Sequence, residues 1–170
     1  MPNWCYNSVT LSHKNSKKIA SLMKHLKGKD VALFQHLRKR PKDQEDNWYQ
    51  WNVDNWGTKW DAAISDYEQM DESTVFISFE TAWSPPIALY DYLTEKGWSV
   101  QAKYHEPGVC FVGDYLDGDD QPIEYGYYID DLKALKNLIP EDLFEYAGIE
   151  QIYEVHVEHL NEQEERENAK

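Results

Sequence analysis

Thr74-Val75-Phe76-Ile77-Ser78-Phe79-Glu80 decides the fold. Val75, Ile77 and Phe79 fall on one side of an extended chain, and β-branched and aromatic residues suit a pleated surface, so residues 74–80 read as a central strand. Downstream, Ser84 offers a helix cap and Pro85 suits a first helical position, where an N–H has no partner to lose. Ile87, Tyr90 and Leu93 then form an apolar stripe that ends at Gly97. Residues 98–105 return to alternation, with Trp98, Val100, Ala102 and Tyr104 on one face. Upstream, residues 3–12 alternate Cys5, Val9 and Leu11 against Trp4, Tyr6, Ser8 and Thr10, the pattern of a half-buried strand. Ser16 offers the next cap, Ile19, Leu22, Met23 and Leu26 recur at helical spacing, and Gly28 suits a left-handed stop.

Strand, helix, strand, strand, helix, strand is the order of a ferredoxin-like split β-α-β sandwich: α+β, an antiparallel sheet with two helices on one face. The second strand is assigned to residues 60–64 by elimination. Before it lies an insertion, residues 31–60, in which Val31, Leu33, Phe34 and Leu37 suggest a short helix or an anchored loop ended by Pro41. Trp48, Trp51, Trp56 and Trp60 follow within thirteen residues. Residues 109–115 and 123–128 flank Asp117-Gly118-Asp119-Asp120, a hairpin signal, and complete a domain over residues 1–128. Residues 129–160 read as a C-terminal appendage, helical at 130–138 and 141–147 around Pro140. Residues 152–160 fit both periods, and the alternation of Tyr153, Val155 and Val157 favours a strand. Residues 161–170 are an acidic tail expected to fray.

The chain has 170 residues and a net charge of -14, unevenly distributed. Residues 1–42 hold ten Lys or Arg against Asp30, a balance of +9, and residues 43–170 carry -23. This field disfavours direct binding of nucleic acid over most of the surface and leaves a basic N-terminal part. No apolar run is long enough for a membrane helix and no secretory leader is legible, so a soluble cytoplasmic protein is expected. Cys5 and Cys110 are too few for a disulfide framework or a zinc site, and no motif implies a cofactor. His156 and His159 lack a committed third metal ligand. No nucleophile elbow or phosphate loop occurs, so no catalytic set is assigned.

Asn55-Trp56-Gly57-Thr58-Lys59-Trp60-Asp61, Thr81-Ala82-Trp83-Ser84-Pro85-Pro86 and the opening Met1-Pro2-Asn3-Trp4-Cys5, with Asn7, Phe79, Phe111 and Gly113, resemble the YubB-like family. Its members are encoded on phages and conjugative plasmids. The resemblance covers about residues 1–128 and implies a ferredoxin-like domain without an assigned activity. The basic Arg38-Lys39-Arg40-Pro41-Lys42 departs from the family pattern.

Trp56, Lys59, Trp60, Asp61, Thr81 and Trp83 form the strongest candidate ligand-binding set. In one reading indole faces stack on a nucleotide or sugar, Lys59 holds an anionic group, and Asp61 and Thr81 hydrogen-bond. In the other the set is architectural: Lys59 packs on an indole and pairs with Asp61, and Trp83 fixes a helix entry. A second candidate surface is the acidic C-terminal run with Glu154, Glu158 and Glu162, whose carboxylates suit a basic protein partner. The leading expectation is a non-enzymatic accessory protein of a mobile element that binds a host nucleic-acid-binding or defence protein. The alternative is a small-molecule binder or enzyme at the Trp-rich corner. The sequence does not set the oligomeric state.

Overall fold

Alternation in the first strand builds β1 (Trp4–His13), which pairs antiparallel with β3 (Thr74–Ala82) from Trp4↔Ala82 to Ser12↔Thr74 and with β4 (Trp98–Glu106) from Tyr6↔His105 to His13↔Trp98. β2 (Ala63–Gln69) flanks β3, and the hairpin of β5 (Phe111–Leu116) and β6 (Asp119–Glu124) extends the far edge. The order is β2-β3-β1-β4-β5-β6, antiparallel throughout. The computed structural model describes residues 3–168. Met1 and Pro2 of the opening motif, and the last two residues of the tail, lie outside the described residues.

Period-2 side chains send Val9, Leu11, Val75, Ile77, Phe79 and Val100 to one face. There they meet α1 (Ser16–Leu26) through Ile19, Leu22 and Leu26, and α4 (Ile87–Glu95) through Leu89 and Leu93. Each such side chain contributes roughly 1.5–3 kcal/mol when fully buried. The insertion adds α2 (Leu33–Leu37) and α3 (Trp48–Trp56) to the same layer, with Leu33, Phe34 and Trp56 in the core. The opposite face carries a second, smaller core. Val112 on β5, together with Tyr125, meets Leu135 of α5 (Leu132–Leu138), Leu143 of α6 (Glu141–Tyr146) and Ile149 of α7 (Ile149–Asn168). The sheet therefore separates the lysine-rich α1 from the glutamate-rich α7, while acids of α3 and α4 share the layer of α1.

Several boundaries differ from the sequence reading, each for a local reason. β2 starts at Ala63 rather than Trp60, because residues 57–61 turn back against α4 and α2. Asn15, not Ser16, caps α1, its side chain accepting from Lys17 N at 3.1 Å. Gly28 is not left-handed. β6 begins directly after Asp117-Gly118, where both φ angles are positive, +47° and +104°, as a two-residue hairpin turn requires. The largest correction is α7: residues 152–160 are helical rather than a strand, and the helix runs from Ile149 to Asn168. The helical register of Ile149, Ile152 and Tyr153 packs a stripe against the apolar surface of α5 and α6, which the strand alternation of Tyr153, Val155 and Val157 would not supply.

Gly113 shows how tightly the hairpin is fitted. It pairs with Tyr104, whose buried ring lies across it, and a Cβ at 113 would stand 2.5 Å from Tyr104 Cζ. The Tyr104 hydroxyl donates to Asp120 Oδ1 at 2.6 Å, so the ring cannot swing aside without breaking that bond. Gly113→Val is expected to lower the free energy of unfolding by about 2–3 kcal/mol in urea titration, and the penalty should shrink in a Tyr104→Leu background.

Candidate functional site

The two signature segments meet, as β2–β3 pairing requires. Thr58 Oγ1 donates to Ala82 O at 2.8 Å and Ser84 Oγ to Gly57 O at 2.7 Å. Ser84 is thereby diverted from capping, and α4 starts later, at Ile87. Gly57 closes α3 at φ +87°, and a Cβ there would lie 3.0 Å from Ile87 N, so glycine is demanded by both conformation and contact.

The six candidate ligand residues take different places around this joint. Trp56 is buried, edge-on to Phe34 and Trp51, with its indole N–H donating to Arg38 O at 3.0 Å. Thr81 is buried between strands: its hydroxyl donates to Ser84 O at 2.7 Å and accepts from Asn7 Nδ2 at 2.9 Å. Asp61 does not pair with Lys59. Its carboxylate accepts from Phe34 N, Gln35 N and Ala62 N at 2.8, 3.0 and 2.8 Å, capping α2 across the fold. Burial holds its pKa above the usual carboxylate range, although the three backbone donors pull the other way. Lys59, Trp60 and Trp83 reach the surface, and Asp61 is half-buried with its carboxylate occupied by those backbone donors. The Lys59 amine sits 4.8 Å from the Trp60 ring centre and 5.6 Å from that of Tyr49, and Trp60 lies 6.3 Å from Trp4.

Trp83 has φ +72°, a region that bulky residues avoid, and is half exposed. The Ser84 N–H to Ala82 O bond of 3.0 Å closes a three-residue turn around it, and its own N–H donates to Asn3 O at 2.9 Å. The basic insertion is architectural as well. Arg38 donates to Asn55 O at 2.7 Å and lies 4.4 Å over the Tyr92 ring, while Arg40 donates to Asn52 Oδ1 at 2.8 Å. Among the described residues no group of three or more His, Cys, Asp or Glu side chains could hold a metal ion. His156 pairs with Asp130 at 2.7 Å, and His159 meets Gln163.

A groove that sequence reasoning missed opens on the second sheet face, beside the root of α7. It encloses about 500 Å³ between the sheet residues Tyr6, Ser8, Ser78 and Glu80 and the covering residues Tyr146 and Ile152. The Tyr146 hydroxyl donates to Lys103 O at 3.1 Å, and Lys103 pairs with Asp142 at 2.9 Å, fixing α6 on the strands. His105 borders the groove with its Nε2 2.8 Å from the Tyr125 hydroxyl. The outward parity of Tyr6 and Ser8 on β1 was the available signal; that α6 would roof them was not legible.

Beyond the groove α7 leaves the body. Ile149 is buried and Ile152, Tyr153, His156 and Val157 are half-buried, but every side chain of residues 158–168 is exposed. At about 1.5 Å per residue this free part extends roughly 16 Å. Glu154, Glu158, Glu162 and Glu165 line one side of the helix with Tyr153 and Val157, and among the described residues the one cation paired with them is Arg166, 3.2 Å from Glu162. Among the described residues no helix is long and apolar enough to cross a membrane.

Sheet order and helix placement define a ferredoxin-like domain of the α+β class, extended by a hairpin and C-terminal helices. Residues 56–136 match the family model described as the ferredoxin-like domain in Api92-like protein. Among solved structures, the chain is similar to protein api92 from Yersinia pseudotuberculosis, with 15% identity and a TM-score of 0.35 over 62% of this chain and 39% of that one. The chain thus spans well under half the length of that protein. No curated protein matches it.

Proposed function

We propose that this protein is a non-enzymatic, cytoplasmic accessory factor of a mobile genetic element that binds a basic protein through α7, its carboxylates standing in for the phosphates of a nucleic acid. The phage and plasmid context rests on the resemblance to the YubB-like family. The observation that carries the reading is the outer half of α7, a helix held by its root and presenting Glu158, Glu162 and Glu165 with, among the described residues, no cation of the body folded onto them. Electrostatics within the helix point the same way. Glu154, Glu158 and Glu162 are like charges four residues apart on the helix and repel one another, and Arg166 answers only Glu162, at 3.2 Å. A basic partner relieves that repulsion. The groove at the root, with Glu80 and no Lys or Arg in its lining, continues the same chemistry.

The full-length chain and its Glu154→Gln/Glu158→Gln/Glu162→Gln variant, used as baits for cell extract, test this. The wild type is expected to retain basic nucleic-acid-binding proteins, to release them to competing double-stranded DNA, and to lose them as salt shortens the screening length. An identical catch from both baits, or a catch indifferent to DNA, removes α7 from the mechanism. The alternative, a nucleotide or sugar site at the Trp-rich corner, has weaker support, since Trp56, Asp61 and Thr81 have their polar groups bonded internally.

A further inference from the structure

On the face of the molecule opposite α7, a cleft of about 380 Å³ runs between α1 and α4 and is closed at one side by α2. Its lining holds Lys18, Lys96 and His36 and no carboxylate, in a chain where acids outnumber bases 31 to 17. Neither lysine has a carboxylate within 4 Å among the described residues. Both amines lie instead near aromatic rings: Lys18 Nζ is 5.8 Å from the centre of Trp98, and Lys96 Nζ is 5.4 Å from that of Tyr92. The accessible apolar wall is Leu37 and the Tyr92 ring, laid over the buried Leu22 and Leu93.

The positive charge here comes from the lysine pair at neutral pH. Burial, and then the stacked His25 ring 4.3 Å away, hold His36 below the ordinary imidazole range. Two unpaired ammonium groups across an apolar wall match a ligand with a compact anionic head and a hydrophobic body, and the volume lies within the usual span of small-molecule sites. The architectural use of Arg38 supports a built cleft: its guanidinium covers Tyr92 and donates to Ala88 O at 3.3 Å, tying the insertion to α4 and fixing one wall.

We propose that the α1–α4 cleft binds a small organic anion, an aromatic or aliphatic body carrying a phosphate or carboxylate, held between Lys18 and Lys96. The site is separate from α7 and does not depend on the protein-binding role above. Phenyl phosphate, with phenol and inorganic phosphate as its two halves, probes it by amide chemical-shift mapping on the full chain. Phenyl phosphate is expected to perturb residues 18–22 and 92–98 and to bind at least tenfold more tightly than either half. In Lys18→Gln/Lys96→Gln, both at exposed positions, that affinity should fall at least tenfold while the rest of the spectrum stays in place. Leu37→Ala, at a half-buried position of the wall, should weaken phenyl phosphate but leave inorganic phosphate unchanged. The proposal is overturned by shifts centred elsewhere, by inorganic phosphate binding as well as the whole probe, by undiminished affinity in the lysine variant, or by no saturable binding in the millimolar range.

Discussion

Asp61→Ala destabilises the protein by about 3 kcal/mol, because it strips three backbone N–H groups of their acceptor at once. Phe34 N and Gln35 N are the open end of α2, and Ala62 N leads into β2. Phe34 and Leu33 of α2 are fully within the core, so water cannot readily replace the lost carboxylate, and each orphaned donor carries a desolvation penalty of about 1–3 kcal/mol. Loss of the cap also loosens the contacts of Phe34 with Trp56 and Phe79, both 5.6 Å between ring centres. Asp61→Asn is the informative control. Oδ1 alone accepts from Phe34 N and Ala62 N, so the amide oxygen retains two of the three bonds and the cost should be well under half. Urea titration of the three proteins, followed by tryptophan fluorescence, measures both values. Equal stability of Asp61→Ala and wild type would show that the carboxylate is free for a ligand after all.

Acidification between pH 6.5 and 4 should destabilise the protein progressively, with His105 contributing. Its ring is buried and burial lowers its pKa from 6.5 to about 4, its Nε2 lying 2.8 Å from the Tyr125 hydroxyl. Above pH 6.5 the ring is neutral in both states and the native protein bears no penalty. As pH falls below that value the unfolded chain takes up a proton that the native ring refuses, so stability drops by about 1.4 kcal/mol per pH unit. The loss amounts to about 3 kcal/mol by pH 4, where the native ring also titrates and the slope flattens. Other groups titrate over the same range, so the comparison is with His105→Gln, which keeps a hydrogen-bonding side chain and removes the proton site. Denaturation midpoints of the two proteins should converge as pH falls from 7 to 4. A constant gap across that interval would show that His105 is not the group refusing the proton.

Asp61 also marks where sequence reasoning stopped. Its type and its place beside Lys59 suggested an ion pair or a ligand contact, while its true partners lie 26 and 27 residues away. The same holds for Ser84. Its position before Pro85 and Pro86 has the chemistry of a cap, yet the hydroxyl is drawn to Gly57 O because strand pairing brings that carbonyl within 2.7 Å. Trp56 was counted with Trp60 as a stacking platform, but one indole is buried and the other exposed, since Trp56 ends α3 on its inward side while Trp60 lies in the turn beyond that helix. In α7, Val155 belongs to an alternation that ran against a helical stripe through Ile149 and Ile152, and the existing α5–α6 surface decided between them.

The sequence by itself determined the strands at β1, β3 and β4, the helices at α1 and α4, the Asp117-Gly118 turn and the charge polarity. All are carried by residues two to four apart, whose spacing fixes which side chains share a face. Only the tertiary structure decided which polar groups remain free for a partner, what lies over Tyr6 and Ser8, how far α7 projects, and that Lys18 and Lys96 share a cleft without a carboxylate. Those outcomes depend on which distant donor, acceptor or charge arrives first at each group, and that competition is resolved only when the sheet and its two layers have packed.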